Sequence, residues 1–343
     1  MRFGLFGSAT ARHGGPDVDS GQGYKQFVDY NVEAEALGYH STFLVEHHFT
    51  GFGQVSASLS LLTWVAARTR TLRLGTAVLV LPWHNPVLLA EQAATLDLLS
   101  GGRLDFGVGK GYRHNEFAGF CVPIEEADAR FNEGLDVIIK SWTSQQRFSH
   151  HGRYWKFENV IVEPPTAQKP HPPIWMGAGS RDSIRQVAER GYNLLLDQFA
   201  SLEAIGERIS WFKAEVEKRG RRYDPMEVGV ARAFHVAKDE ADKQAALERR
   251  LEAQRRFAAA SRNADGTQSK ASIVAFSDTR EASEEAALYG TPDEIAKKLE
   301  RLRALGVEYI VLNNGGLSHD SLRRFARELM PAFADGARMR VVG

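Results

Sequence analysis

Glu46-His47-His48-Phe49-Thr50 is followed at once by Gly51-Phe52-Gly53. The segment ends an apolar run, Ser41-Thr42-Phe43-Leu44-Val45, that reads as a short buried strand. A carboxylate and two imidazoles are costly to bury there without partners, and the C-terminal rim of an α/β sheet is where such folds place chemistry. The chemistry these types suit is proton transfer, with a histidine titrating near neutrality and a carboxylate orienting an imidazole. The same residues also fit a polar strand end in which one histidine caps backbone groups.

Three further segments could bind or react. Gly101-Gly102-Arg103-Leu104-Asp105-Phe106-Gly107-Val108-Gly109-Lys110-Gly111 opens from a turn into a strand and then into glycines around one lysine. Glycines let backbone amides approach an anion, and Lys110 adds a point charge. The spacing is not that of a dinucleotide fingerprint. Nor is it a P-loop, in which Ser or Thr would replace Gly111. A glycine-rich turn with a solvated lysine is the alternative. Trp175-Met176-Gly177-Ala178-Gly179-Ser180, with Ser183 beyond, reads as a strand running into a helix start. Amides and hydroxyls there suit a phosphate, or simply an N-cap by Ser180 or Asp182. Gly75-Thr76-Ala77-Val78-Leu79-Val80-Leu81-Pro82-Trp83-His84-Asn85-Pro86 reads alone as a core strand with a proline-bounded turn. His47, His48, His84 and His114 could converge. However, adjacent residues of an extended strand face opposite sides and no ligand set has metal spacing, so no metal is expected.

The elements that must position these residues alternate regularly. Strands are expected at Arg2–Gly7, Ser41–Val45, Leu72–Val80, Leu104–Val108, 174–176, Asn193–Leu196, Glu227–Val236 and Tyr309–Asn313. Helical periodicity separates them, at Tyr24–Leu37, Ala57–Arg68, Val87–Leu99, Ala129–Trp142, Ser183–Arg190, Leu202–Arg219, a long charged helix from Asp239, Pro292–Leu305 and Ser321–Phe333. Eight strands alternating with helices argue for a parallel (β/α)8 TIM barrel. An aromatic insertion at Arg147–Val162 reads as a small hairpin. Ser261–Glu281 is the one long aperiodic stretch, and a loop of that length suits a lid.

Composition narrows the class. Lys plus Arg and Asp plus Glu are 43 each in 343 residues, for a formal net charge of +0. No global field gathers nucleic acid or an anionic membrane. Cys121 is the single cysteine, no apolar run reaches the ~18 residues of a membrane span, and the N-terminus enters a strand directly. A cytoplasmic protein is the expectation.

Taken together, in order and spacing, the four segments resemble the bacterial luciferase-like, flavin-dependent monooxygenases. The Glu46–Phe49 segment, the Leu81-Pro82-Trp83-His84-Asn85-Pro86 loop and the Gly102-Arg103-Leu104-Asp105-Phe106-Gly107 strand carry the resemblance. It runs from Met1 to about Ala200, weakens through Leu202–Arg280, and returns at Tyr289-Gly290-Thr291-Pro292-Asp293-Glu294-Ile295. It implies one barrel domain over 1–343 that binds FMN, usually as a diffusible reduced cosubstrate from a separate NAD(P)H:flavin reductase. Oxygen would add at the flavin C4a carbon, giving a peroxide that oxygenates a small hydrophobic organic substrate. His47 is implied as the catalytic histidine, Glu46 as a residue orienting an imidazole, and His48 as secondary. Lys110, Ser180 and Ser183, with Gly179, would hold the flavin phosphate. Ala77-Val78, at a non-prolyl cis bond, would lie under the ring, with Glu116 behind it. A homodimer is also implied. The light-emitting alpha subunit has a reactive cysteine and then an arginine where this chain has Gly109 and Lys110, so luminescence is not implied. Tyr112-Arg113-His114-Asn115 looks more like the non-luminous members. Two other readings are a deazaflavin-dependent dehydrogenase on the same barrel and a non-catalytic flavin-binding protein.

Overall fold

The computed structural model describes residues 1–334 apart from 264, 268, 270, 271 and 314. Eight parallel strands close into a barrel: β1 (Arg2–Gly7), β2 (Ser41–Leu44), β3 (Arg73–Thr76), β5 (Leu104–Gly109), β8 (Ile174–Gly177), β9 (Asn193–Leu196), β10 (Val228–Val236) and β12 (Tyr309–Asn313). β1 pairs with β12 and β2, and the β9–β10 pairing closes the ring. The helices that return the chain are α1 (Gln22–Ala36), α2 (Ser58–Arg68), α3 (Pro86–Leu99), α5 (Ala127–Thr143), α6 (Arg181–Arg190), α7 (Leu202–Lys218), α8 (Glu240–Ala260) and α10 (Pro292–Ala304). Their starts follow from local chemistry. Asn85 caps α3, with Pro86 at its first turn, and Thr291 and Glu294 form a reciprocal capping box at the start of α10.

The barrel lumen is filled through its middle, with paired polar groups at the N-terminal side. Phe43, Trp175, Leu195, Ala231, Tyr309 and Val311 fill the lumen. Gly75 makes room for Phe43, since a Cβ there would lie 2.2 Å from the ring. The polar tips of these aromatics are paired. Tyr309 Oη lies 2.5 Å from Ser41 Oγ, and Trp175 Nε1 donates to Asp105 at 3.1 Å. Asp105 also takes a bidentate pair from Arg73, 2.8 Å at each oxygen. Closing this end leaves the C-terminal rim as the place where a ligand can enter.

The structure departs from the sequence expectation at three places. The apolar run Leu72–Val80 is not one strand. β3 stops at Thr76 and pairing resumes in β4 (Leu79–Val80), while the Ala77–Val78 peptide between them is cis, as the family resemblance implies. Across the break the Thr76 hydroxyl donates to Gly107 O at 2.7 Å and accepts from Gly107 N at 2.9 Å, replacing ladder bonds that the kink removes. A short strand missing from the reading, β11 (Leu288–Gly290), pairs with the far end of β10. The last helical stretch begins at His319 rather than Ser321 and contains a π-helical turn at Phe325–Leu329. The insertion is a hairpin of β6 (Phe148–His151) and β7 (Lys156–Val160), as its aromatic pattern suggests. Ala264, Gln268, Lys270 and Ala271 of the expected lid lie outside the described residues. In the rest of the lid, Val274 is buried and Phe276 stacks on Phe199 with ring centroids 4.3 Å apart. α9 (Arg280–Ala286) begins inside the segment. Among the described residues, no helix is long and apolar enough to cross a membrane.

Candidate active site

Glu46 follows the end of β2 and is 2 % exposed. Its carboxylate collects four donors: His48 Nε2 at 2.6 Å, His84 Nε2 at 2.9 Å, Trp83 Nε1 at 3.0 Å and the Val80 amide at 3.0 Å. Burial alone would raise its pKa. Hydrogen bonds from His48, His84 and Trp83 overcome that and hold it at about 2. Glu46 therefore ties the β2 end to the loop after β4. It orients two imidazoles, those of His48 and His84, but not that of His47.

His47 has its own carboxylate. Its Nδ1 lies 3.0 Å from Oε1 of Glu116, on the short helix α4 (His114–Gly119). The same oxygen accepts the His48 amide at 3.0 Å, and an Arg113 guanidinium nitrogen stands 3.9 Å away. With Glu116 taking the Nδ1–H, Nε2 is the nitrogen open to accept a proton. Burial lowers the His47 pKa below the usual 6.5. The Glu116 hydrogen bond opposes that, and the Arg113 charge adds to the lowering. The site is thus poised with a neutral, oriented imidazole.

The two adjacent histidines diverge, as expected, although both lie beyond the strand rather than on it. His48 packs edge-on against Phe120 at 4.7 Å and Trp83 at 5.8 Å, as a pocket-wall residue held by Glu46. Glu116 is buried, and its contacts are with His47, His48 and Arg113. Trp83 and Arg113 lie in segments that the family resemblance singles out, but their contacts with Glu46 and Glu116 were not expected. His84 was one of the four histidines the sequence suggested could converge, and it does meet His48 at Glu46. Among the described residues, no group of three or more His, Cys, Asp or Glu is placed to hold a metal ion.

The second half of the site lies at the ends of β5 and β8, neighbours whose register sets Val108 opposite Met176. Lys110 leaves β5, is partly exposed, and pairs with Asp128. Ser180 caps α6, with its Oγ 2.9 Å from Ser183 Oγ and each hydroxyl bonded to the other's backbone amide. Asp182, in that first turn, is held below its ordinary pKa by Arg185 and, more weakly, by the Lys110 charge, so Lys110 and the start of α6 feel each other. Between the two halves, Gly109 and Gly177 differ in what surrounds them. A Cβ on Gly109 would lie 2.4 Å from a Val78 methyl, whereas one on Gly177 would meet nothing within 4 Å. The donor set fits a phosphorylated planar cofactor.

The chain is 28% identical over 356 residues to the oxygenase component of a flavin-dependent trigonelline monooxygenase from Acinetobacter baylyi, covering 98% of this chain and 96% of that one. It is 28% identical over 330 residues to an FMNH2-dependent dimethylsulfone monooxygenase from Pseudomonas putida, covering 89% and 87%. The crystal structure of the monooxygenase RslO1 from Streptomyces bottropensis superposes with a TM-score of 0.84 at 27% identity, over 97% of this chain and 100% of that one. The profile of the family described as luciferase-like monooxygenase matches residues 1–309. The chain belongs to the luciferase-like monooxygenase family.

Proposed function

We propose that the protein is the oxygenase of a two-component system, taking reduced FMN from a separate NAD(P)H:flavin reductase and inserting one atom of O2 into a small organic substrate. The observation that carries this reading is the partly buried, Glu116-oriented His47, together with small residues at the rim and the Lys110, Ser180 and Ser183 group. Bound reduced FMN supplies the oxygen activation at its C4a carbon. The chain supplies the rest. Lys110 and the two hydroxyls anchor the phosphate. Ala77, Val78 and Gly109 give the ring a surface of small residues. His47 Nε2 moves the proton that accompanies oxygen transfer. Trp83, Phe117 and Phe120 form a packed aromatic wall that keeps water from the reacting atoms. The homodimer expectation has a candidate face, because Trp64 on α2 and Leu88, Leu98 and Leu99 on α3 are exposed large apolar residues on adjacent helices.

Anaerobic titration with reduced FMN and with a reduced deazaflavin, followed by mixing with oxygen and a substrate panel, tests the reading. Saturable binding of reduced FMN and oxygen-dependent product support it. Preference for the deazaflavin with no oxygen uptake would replace it with the dehydrogenase alternative.

A further inference from the structure

Next to the histidine cluster lies a pocket of about 400 Å³, within the usual range for small ligands. Its walls come from three parts of the chain that converge on the rim. These are the loop after β2 (Thr50, Phe52), the Arg113-His114-Asn115 segment, and the end of α8 with the residues beyond it (Arg262 among them). Two arginines and a histidine line it. Among the described lining residues there is no aspartate or glutamate.

Arg113 is the informative wall residue. It is 5 % exposed, and its Nε is buried with no hydrogen-bond partner. The rings of Tyr112 and Phe257 lie 5.8 and 5.6 Å from the guanidinium carbon. Its nearest carboxylate, Glu116, is 3.9 Å away and already bonded to His47 and to the His48 amide. The Arg113 side chain also bonds Tyr112, so its one buried donor left without an acceptor is Nε, and its ion pair with Glu116 is long and shared. Arg262, on the opposite wall, is exposed and donates one bond to Gly266 O. Phe52, Ala259 and Ala260 supply apolar surface between the polar groups.

We propose that this pocket binds a small organic anion, a carboxylate or sulfonate with an apolar body, as the substrate of the oxygenase. The inference rests on the function proposed above and sharpens its substrate class. The anion sits between Arg113 and Arg262, and its apolar part lies along Phe52 and the end of α8. Through the Arg113–Glu116–His47 chain of contacts, the occupied pocket adjoins the imidazole that handles protons. The flavin phosphate, another anion, has its own partners at Lys110, Ser180 and Ser183, on different strand ends.

Calorimetric titration of the full chain with benzoate, hexanoate and hexanesulfonate, each beside a neutral partner (benzamide, hexanamide, hexanol), tests this without flavin. Each anion is expected to bind at least about tenfold more tightly than its neutral partner, with the preference shrinking at high salt. Arg262→Gln, at an exposed position, should weaken the anions about three- to tenfold and leave the neutral compounds unchanged. Lys110→Ala should leave the anions unchanged, which separates this pocket from a phosphate site. Equal binding of anion and neutral partner, absence of saturable binding by all three anions, or indifference to Arg262→Gln overturns the proposal. Oxygen uptake with reduced FMN, measured on the same preparation, reports separately on the oxygenase reading.

Discussion

His47 Nδ1 and Glu116 Oε1 lie 3.0 Å apart, across 69 residues of chain, and this contact decides which imidazole of the adjacent pair is set up for chemistry. Glu46, between β2 and His47, takes His48 and His84 instead. Two buried carboxylates thus divide three histidines: Glu116 takes His47, the proposed proton carrier, and Glu46 takes His48 and His84.

Replacing Glu116 with Gln should lower the His47 pKa further. The wild-type value already lies below 6.5 because burial outweighs the raising effect of Glu116, and the substitution removes that opposing contact. A histidine with a depressed folded value costs stability as pH falls below its unfolded value, so the acid-side loss should deepen in the variant. NMR titration of the His47 ring protons checks the direction. An unchanged or raised midpoint would show that Glu116 does not set this imidazole.

Glu46 should be the main stabiliser of the rim. Its depression from 4.5 to about 2, at a site with almost no solvent screening, corresponds to about 3 kcal/mol. That contribution is complete above about pH 4.5 and is lost as pH falls toward 2. Glu46→Gln, which sets an amide NH2 among four donors, should cost roughly 2–4 kcal/mol. Its unfolding curve should also be flatter across that acid window. Urea denaturation at a series of pH values measures both effects, and a parallel pH profile would contradict the assignment.

Lys110→Ala should weaken reduced-FMN binding roughly ten- to a hundredfold through loss of one charge-assisted contact. Riboflavin, which lacks the phosphate, should barely respond. Because Lys110 pairs with Asp128 in the structure, Asp128→Asn should strengthen FMN binding modestly. Fluorescence titration of both variants with FMN and riboflavin distinguishes a phosphate ligand from a structural lysine, which would affect the two flavins equally.

The stacked Phe199–Phe276 pair should hold the 261–281 segment against the barrel. Phe276→Ala removes a ring contact worth about 0.5–1.5 kcal/mol beyond its burial. Limited proteolysis should then cut this segment faster than in the parent chain, while α8 and α10 resist. Identical cutting rates would assign the anchoring to other contacts.

The barrel was legible because each of its eight strands is a short apolar run bounded by turns and followed by helical periodicity. The break inside Leu72–Val80 was not legible from pattern, because apolar residues continue straight through it. Its bridging group, the Thr76 hydroxyl, acts on Gly107 across the sheet. Leu288–Gly290 is too short to stand out and becomes a strand only by pairing with β10. Glu46 was readable as a residue that orients an imidazole, yet which imidazoles it takes depends on His84, 38 residues away. The Glu116–His47 contact and the charge of Arg113 have no local signature either, since the fold alone brings those segments together.

The most direct test of the account is product formed per oxygen consumed in His47→Ala, supplied with reduced FMN and a turned-over substrate. The variant is expected to bind flavin and consume oxygen normally while product falls by about 10²–10⁴-fold and hydrogen peroxide accumulates. His48→Ala, which alters only the wall, should lose far less. Unchanged coupling in His47→Ala would remove the central residue from the mechanism and leave the histidine as a cap at a strand end.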